Sequence, residues 1–173
     1  VTGAFDRIAY FLELQPGSGE MQFLFVSMDA FTDDVKKIGV PTAASGARFR
    51  QNVANLNVYS NVKDVVSGTG LSGGYIEFWP TNYSGRNSAN VPGAASDKYD
   101  FGDEPSTDGD YGSMQVHNIE ARQTLFAVNH WGQGDRADLG IGNNSGGNPD
   151  WTFSHNASSY QSKRLRVLVR LKK

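Results

Sequence analysis

Short stretches of apolar residues recur along this chain, separated by turn-forming clusters. Residues 4–14 (AFDRIAYFLEL) and 21–28 (MQFLFVSM) are apolar runs of β type. QPGSGE lies between them at 15–20 and predicts a hairpin. Residues 32–39 (TDDVKKIG) are the one helical-turn candidate. Thr32 is placed to cap it, Asp33 and Asp34 suit its first turn, and Lys36 and Lys37 its end. Gly39 and Pro41 then stop it. Further strands are expected at 49–60, 74–79, 112–118, 123–131, 137–142, 150–154 and 163–171. About nine strands with frequent turn signals predict an all-β fold, a single β-sandwich of jelly-roll type. Residues 80–110 show no periodicity, and a stretch of that length inside one domain is often functional.

Alternation within the strands sorts side chains by face, because positions i and i+2 share one side. At 74–79, Ile76 and Phe78 point one way and Tyr75, Glu77 and Trp79 the other. At 112–118, Met114 and Val116 leave Ser113, Gln115 and His117 opposite. At 56–60, burying Leu56 and Val58 leaves Asn57 and Tyr59 on the polar side. At 163–171, burying Leu165, Val167 and Val169 leaves Arg164 and Arg166 outward. If these strands share a sheet, its outer surface combines amides, a carboxylate, guanidiniums and aromatic rings. Sugar hydroxyls need planar donors and acceptors, and the C–H face of a pyranose needs an aromatic platform. Asn57, Tyr59, Tyr75, Glu77, Trp79, Gln115, His117 and Arg166 are therefore the candidate ligand-binding set. Asn129 and Trp131, emerging where 123–131 ends, join them as a groove edge. The competing expectation is structural: Trp79 packed under the long loop, with Glu77 paired to an arginine.

The composition narrows the classes. The 173 residues suit one domain spanning 1–173, large enough to bury a core without a staple. Lys plus Arg is 16 and Asp plus Glu 18, and no basic block stands out, which argues against nucleic acid or an anionic membrane as partner. No apolar run approaches a membrane span. Cysteine is absent, which excludes thiolate chemistry and disulfide scaffolds. The chain opens at Val1 and reads as an excised domain or a processed mature chain.

Two clusters invite a cation. Residues 97–110 (DKYDFGDEPSTDGD) hold six carboxylates and one Lys, and residues 134–150 form a second oxygen-rich loop. Calcium takes oxygen ligands from such loops, so Asp100, Asp103, Asp108, Asp135 and Asp138 are candidate ligands of a structural calcium, although no EF-hand spacing is present. A plain solvated acidic loop is the alternative. His117, His130 and His155 lack zinc-site spacing.

Gln115-Val116-His117 resembles the Gln-Ile/Val-His motif of jelly-roll polysaccharide lyases. That resemblance implies Gln115 neutralising a uronate carboxylate and His117 acting as base, with Tyr75 or Arg166 completing the set. The tyrosine- and lysine-rich and the arginine- and glutamate-rich motifs of those lyases are missing. The paired carboxylates of a glycosidase strand are missing too, since Tyr75-Ile76-Glu77 carries one acid. Over nearly its whole length, through FDRIAYFLEL, FVSMDAFT, IEFWPTNY, YDFGD, YGSMQVHN and DLGIGN, the chain resembles jelly-roll accessory modules of secreted bacterial glycan-degrading enzymes. The resemblance implies a non-catalytic, extracellular carbohydrate-binding module whose partners are a polysaccharide and a parent catalytic domain. Arg164 and Arg166 on the groove would favour an acidic glycan. The rivals are a lyase and a structural domain that packs on its parent enzyme.

Overall fold

A computed structural model describes residues 4–39, 49–79, 113–121, 123–130, 137–144 and 157–173. These form ten strands: β1 (Phe5–Pro16), β2 (Gln22–Asp29), β3 (Phe49–Val53), β4 (Leu56–Ser60), β5 (Gly68–Leu71), β6 (Gly74–Trp79), β7 (Ser113–Asn118), β8 (Gln123–His130), β9 (Ala137–Asn144) and β10 (Tyr160–Leu171). Two five-stranded antiparallel sheets result. Sheet A has the order β10-β1-β2-β4-β5 and sheet B the order β3-β6-β7-β8-β9. The fold is the expected all-β sandwich.

The 4–28 hairpin forms as its pattern predicts, with Leu14 opposite Gln22. The Gln15 amide donates to the carbonyls of Pro16 and Gly19, and Gly19 takes a positive φ that a side chain would strain. The helical turn shrinks to a 3-10 turn at Val35–Lys37. Asp34, one residue pair later than expected, is its cap and accepts from the Lys36 N–H, while Thr32 accepts from the Asp34 N–H. Three residues make no helix with a dipole worth complementing, so the acidic-first, basic-last reading has little to act on there.

The expected single strand 49–60 is in fact two strands in different sheets. Its break is Asn55, in the left-handed region at φ 53°, which asparagine tolerates better than most residues. The corner is tied down on both sides. The Asp29 N–H donates to the Ala54 carbonyl at 3.0 Å, and Arg7 donates to Asp29 Oδ1, to Ser27 Oγ and to the Asn55 carbonyl, each at 2.9 Å.

The core fills the space between the sheets. Ile8, Tyr10, Leu12, Leu24, Val26 and Met28 of sheet A face Ile76, Met114, Val116 and Phe126 of sheet B. Tyr10 and Phe126 meet at 5.8 Å between ring centroids, and Phe31 meets Phe78 at 5.9 Å. The buried Tyr10 hydroxyl donates to the Ile38 carbonyl at 2.8 Å, and burial pushes its phenol well above the ordinary value. At one end a register shift between Val116 and His117 turns Gln123 so that its amide grips Asp64 O and Val66 N–H, joining the sheets. Gly142, at φ 80°, lets β9 pass the same loop, where a Cβ would lie 2.7 Å from Val65.

The last strand departs from expectation. β10 lies at the rim of sheet A and pairs with β1, its one partner among the described strands. Leu165 and Val169 are therefore half-buried, and Val167 is 36% exposed, where the alternation had placed all three in the core.

Candidate functional site

The candidate polar face divides between the two sheets. β6 and β7 lie in sheet B; β4 and β10 lie in sheet A. Because Val116 and Leu165 face the shared core, His117 and Arg166 stand on opposite sides of the sandwich. No single surface unites the candidates.

On sheet B the register places Tyr75 opposite His117, Glu77 opposite Gln115, and Trp79 opposite Ser113, so these positions do share a face as alternation predicts. That face is closed where its side chains are described. Tyr75 and Gln115 are buried, and His117 is 1% exposed. The His117 Nδ1 lies 3.1 Å from the Thr124 hydroxyl, and the Tyr75 ring lies 6.2 Å from the imidazole. Thr124 reaches this side because the β8 bulge shifts its parity. β7 is thus buried on both faces, and so is β8 through Leu125, Phe126 and Ala127.

Sheet A carries the other candidates on a face that is open to water. Pairing lines up Arg166, Phe11, Phe25 and Tyr59 as one row across four strands. Phe11 lies 6.3 Å from Phe25, Phe25 lies 6.3 Å from Tyr59, and Phe23 flanks Phe11 at 6.2 Å. The Arg166 guanidinium sits 5.3 Å over the Phe11 ring and pairs with Glu13. The phenylalanines are half-buried, while Tyr59 is 47% exposed. Sequence reasoning missed the three phenylalanines, although Arg7 and Glu13 in β1 and Ser27 and Asp29 in β2 share their parity and mark the outward side.

The next row is Leu168, Ala9, Ser27 and Asn57. Ala9 and Ser27 are short, so the surface dips between the aromatic row and the charged row of Arg170, Arg7 and Asp29. A shallow depression of about 290 Å³ lies there, lined by Arg7, Ala9, Phe25, Ser27, Leu168 and Arg170. Its charged side is fixed: Arg7 is held by Asp29 and Ser27, and Arg170 grips Asp6 through two hydrogen bonds of 2.7 and 2.9 Å. The Arg170 guanidinium holds the Asp6 carboxyl below its ordinary value. Asn57 accepts from the Gly70 N–H at 2.8 Å, which sets its side-chain direction.

The remaining expectations lie elsewhere. Trp131, Asp100, Asp103, Asp108, Asp135, the long stretch 80–110 and the strand expected at 150–154 lie outside the described residues. Asn129 is placed in β8 opposite Ser113, and Asp138 in β9 opposite Asn129. Among the described residues no group of three or more His, Asp or Glu gathers as ion ligands would. No family model, curated protein or solved structure matches the chain.

Proposed function

We propose that this domain binds carbohydrate through the outer face of sheet A, as a non-catalytic module serving a secreted glycan-degrading enzyme. The observation that carries the reading is the exposed Tyr59 ring at the end of a contiguous aromatic row, beside a mostly apolar depression with Arg7 and Arg170 at its edge. Single exposed aromatics are commonplace, but a connected apolar patch rimmed by charge marks a binding surface. Tyr59 and Phe25 offer the stacking platform for a sugar ring. Asn57, Ser27, Arg7 and Asp29 offer donors and acceptors to its hydroxyls. Arg7, Ser27 and Asp29 are held by the hydrogen bonds among them and Asn57 by the Gly70 N–H, so binding orders few side chains. Arg164 and Arg166 on the same face favour a glycan bearing carboxylate or sulfate groups. A structural calcium remains part of this reading only through the acidic loops.

The lyase reading gains less. A general base must come within hydrogen-bond reach of the proton it removes, and His117 and Gln115 lie buried on the other sheet from Arg166. Screening the domain against a glycan array, with and without chelator, tests the proposal. The proposal expects a set of bound glycans whose retention falls about tenfold or more in Tyr59→Ala, consistent with the loss of one stacking contact. A variant that retains every bound glycan at full strength would move the site off this face.

A further inference from the structure

We infer that the free edge of β10 is a docking site for an extended acidic peptide strand from a partner protein, received as an added strand of sheet A. The inference rests on the backbone edge of β10 and not on the proposed glycan site, although Arg164 belongs to both surfaces. β10 runs 12 residues and has a single neighbour, β1, among the described strands. An edge of that length presents a row of backbone donors and acceptors that another strand can pair with. The side chains on both faces of this edge remain accessible. Val167 and Leu171 on the core side are 36% and 53% exposed, and Leu168 and Arg164 are exposed on the outer side.

The sequence of the edge states what should lie beside it. Residues 163–173 (KRLRVLVRLKK) hold six of the chain's 16 Lys and Arg and no acid. Within β10 the charges alternate with aliphatics: Arg164, Arg166 and Arg170 face outward, while Leu165, Val167, Val169 and Leu171 face the core side. Arg166 and Arg170 lean toward β1, onto Glu13 and Asp6. Lys172 adds its charge to that of Arg170 beside Asp6, whereas Arg164 forms no ion pair among the described residues. A neighbouring strand that satisfies both faces carries acids outward and aliphatics inward, since cross-strand opposite charges and matched apolar pairs stabilise a ladder. A second copy of β10 does the reverse. Set edge to edge, it stacks arginine against arginine, so the charges that bar self-pairing also select an acidic occupant.

The test uses a labelled, end-capped peptide of alternating Glu and Val, with alternating Lys and Val, and a block Glu–Val sequence of equal composition, as controls. Anisotropy titration should show binding of the alternating acidic peptide alone, weakened by salt. Amide exchange should slow at alternate residues of β10 on binding. The double variant Lys163→Glu, Arg164→Glu sits on exposed positions and should keep the native spectrum while weakening the peptide roughly tenfold. Equal binding of the Lys or block peptide would overturn the inference, as would binding without protection of β10. So would a failure of the acidic peptide to bind, whether the edge pairs with a second copy in sedimentation or takes up a sulfated polysaccharide instead.

Discussion

The outward faces of the two sheets begin from similar strand patterns and end differently. On sheet A the outward row of Phe11, Phe25 and Tyr59 meets water, although it is mostly apolar. On sheet B the outward Tyr75, Gln115 and His117 are buried, although they are mostly polar. Alternation therefore fixes which residues share a face, but not whether that face is covered. On sheet B the buried His117 imidazole meets the Thr124 hydroxyl, a contact that offsets part of the cost of burying both polar groups. The aromatic row of sheet A carries no such cost and keeps part of its surface in water.

Substitutions can sharpen or break this contrast. The largest effect belongs to sheet B. Leu125→Ala, at the buried β8 bulge, should destabilise by about 2–5 kcal/mol in urea unfolding. Phe25→Ala deletes a larger ring from sheet A yet should cost only about 1–2 kcal/mol, because part of that ring already faces water. Equal costs would erase the distinction between an open and a closed face.

The core between the faces gives a pH signature. Burial raises the Tyr10 pKa, so the neutral phenol is favoured in the folded state. Its stabilising contribution is complete below the ordinary tyrosine value and falls as pH rises past it, by up to about 1.4 kcal/mol per pH unit. Alkaline unfolding curves should show this slope, and Tyr10→Phe should flatten it. A Tyr10→Phe protein with an unchanged alkaline slope would place the titration elsewhere.

A smaller effect is expected at the corner that sends β3 and β4 to different sheets. Asn55→Ala puts a Cβ-bearing residue without a polar side chain into the left-handed region and should cost about 1–2 kcal/mol. Asn55→Gly should recover part of that loss, and a Gly variant no more stable than Ala would show that the Asp29 hydrogen bond, lost in both, governs the corner rather than the backbone. The smallest stability change belongs to Tyr59→Ala, within about 0.5 kcal/mol, because the ring is half in water. Its effect should appear in glycan binding instead.

Most of the described strands were legible, but β5, whose GTGL sequence carries two glycines and no apolar run, was not expected. The 4–28 hairpin, the Gly74–Trp79 and Ser113–Asn118 pair and the closing strand all follow from apolar runs bounded by turn residues. Their grouping into sheets was not legible, because it depends on Asn55. Asparagine is an ordinary strand-breaking residue in the sequence, and only its left-handed backbone reveals the crossing. The burial of His117 did leave a trace. Leu125, Phe126 and Ala127 are apolar on both parities, the mark of a strand covered on both sides, and β7 is the hairpin neighbour of that strand. The exposed phenylalanines left a trace of the opposite kind: they share their parity with Arg7, Glu13, Ser27 and Asp29, and charged residues on one parity of β1 and β2 mark a face that stays open.

The central claim is that ligand meets sheet A and leaves sheet B untouched. Aromatic-ring NMR, recorded while a glycan selected on the array is added, tests it most directly. The account predicts shifts at the rings of Tyr59, Phe25 and Phe11, with Tyr75 and His117 unmoved. Shifts at Tyr75 and His117, with the sheet A rings silent, would contradict it.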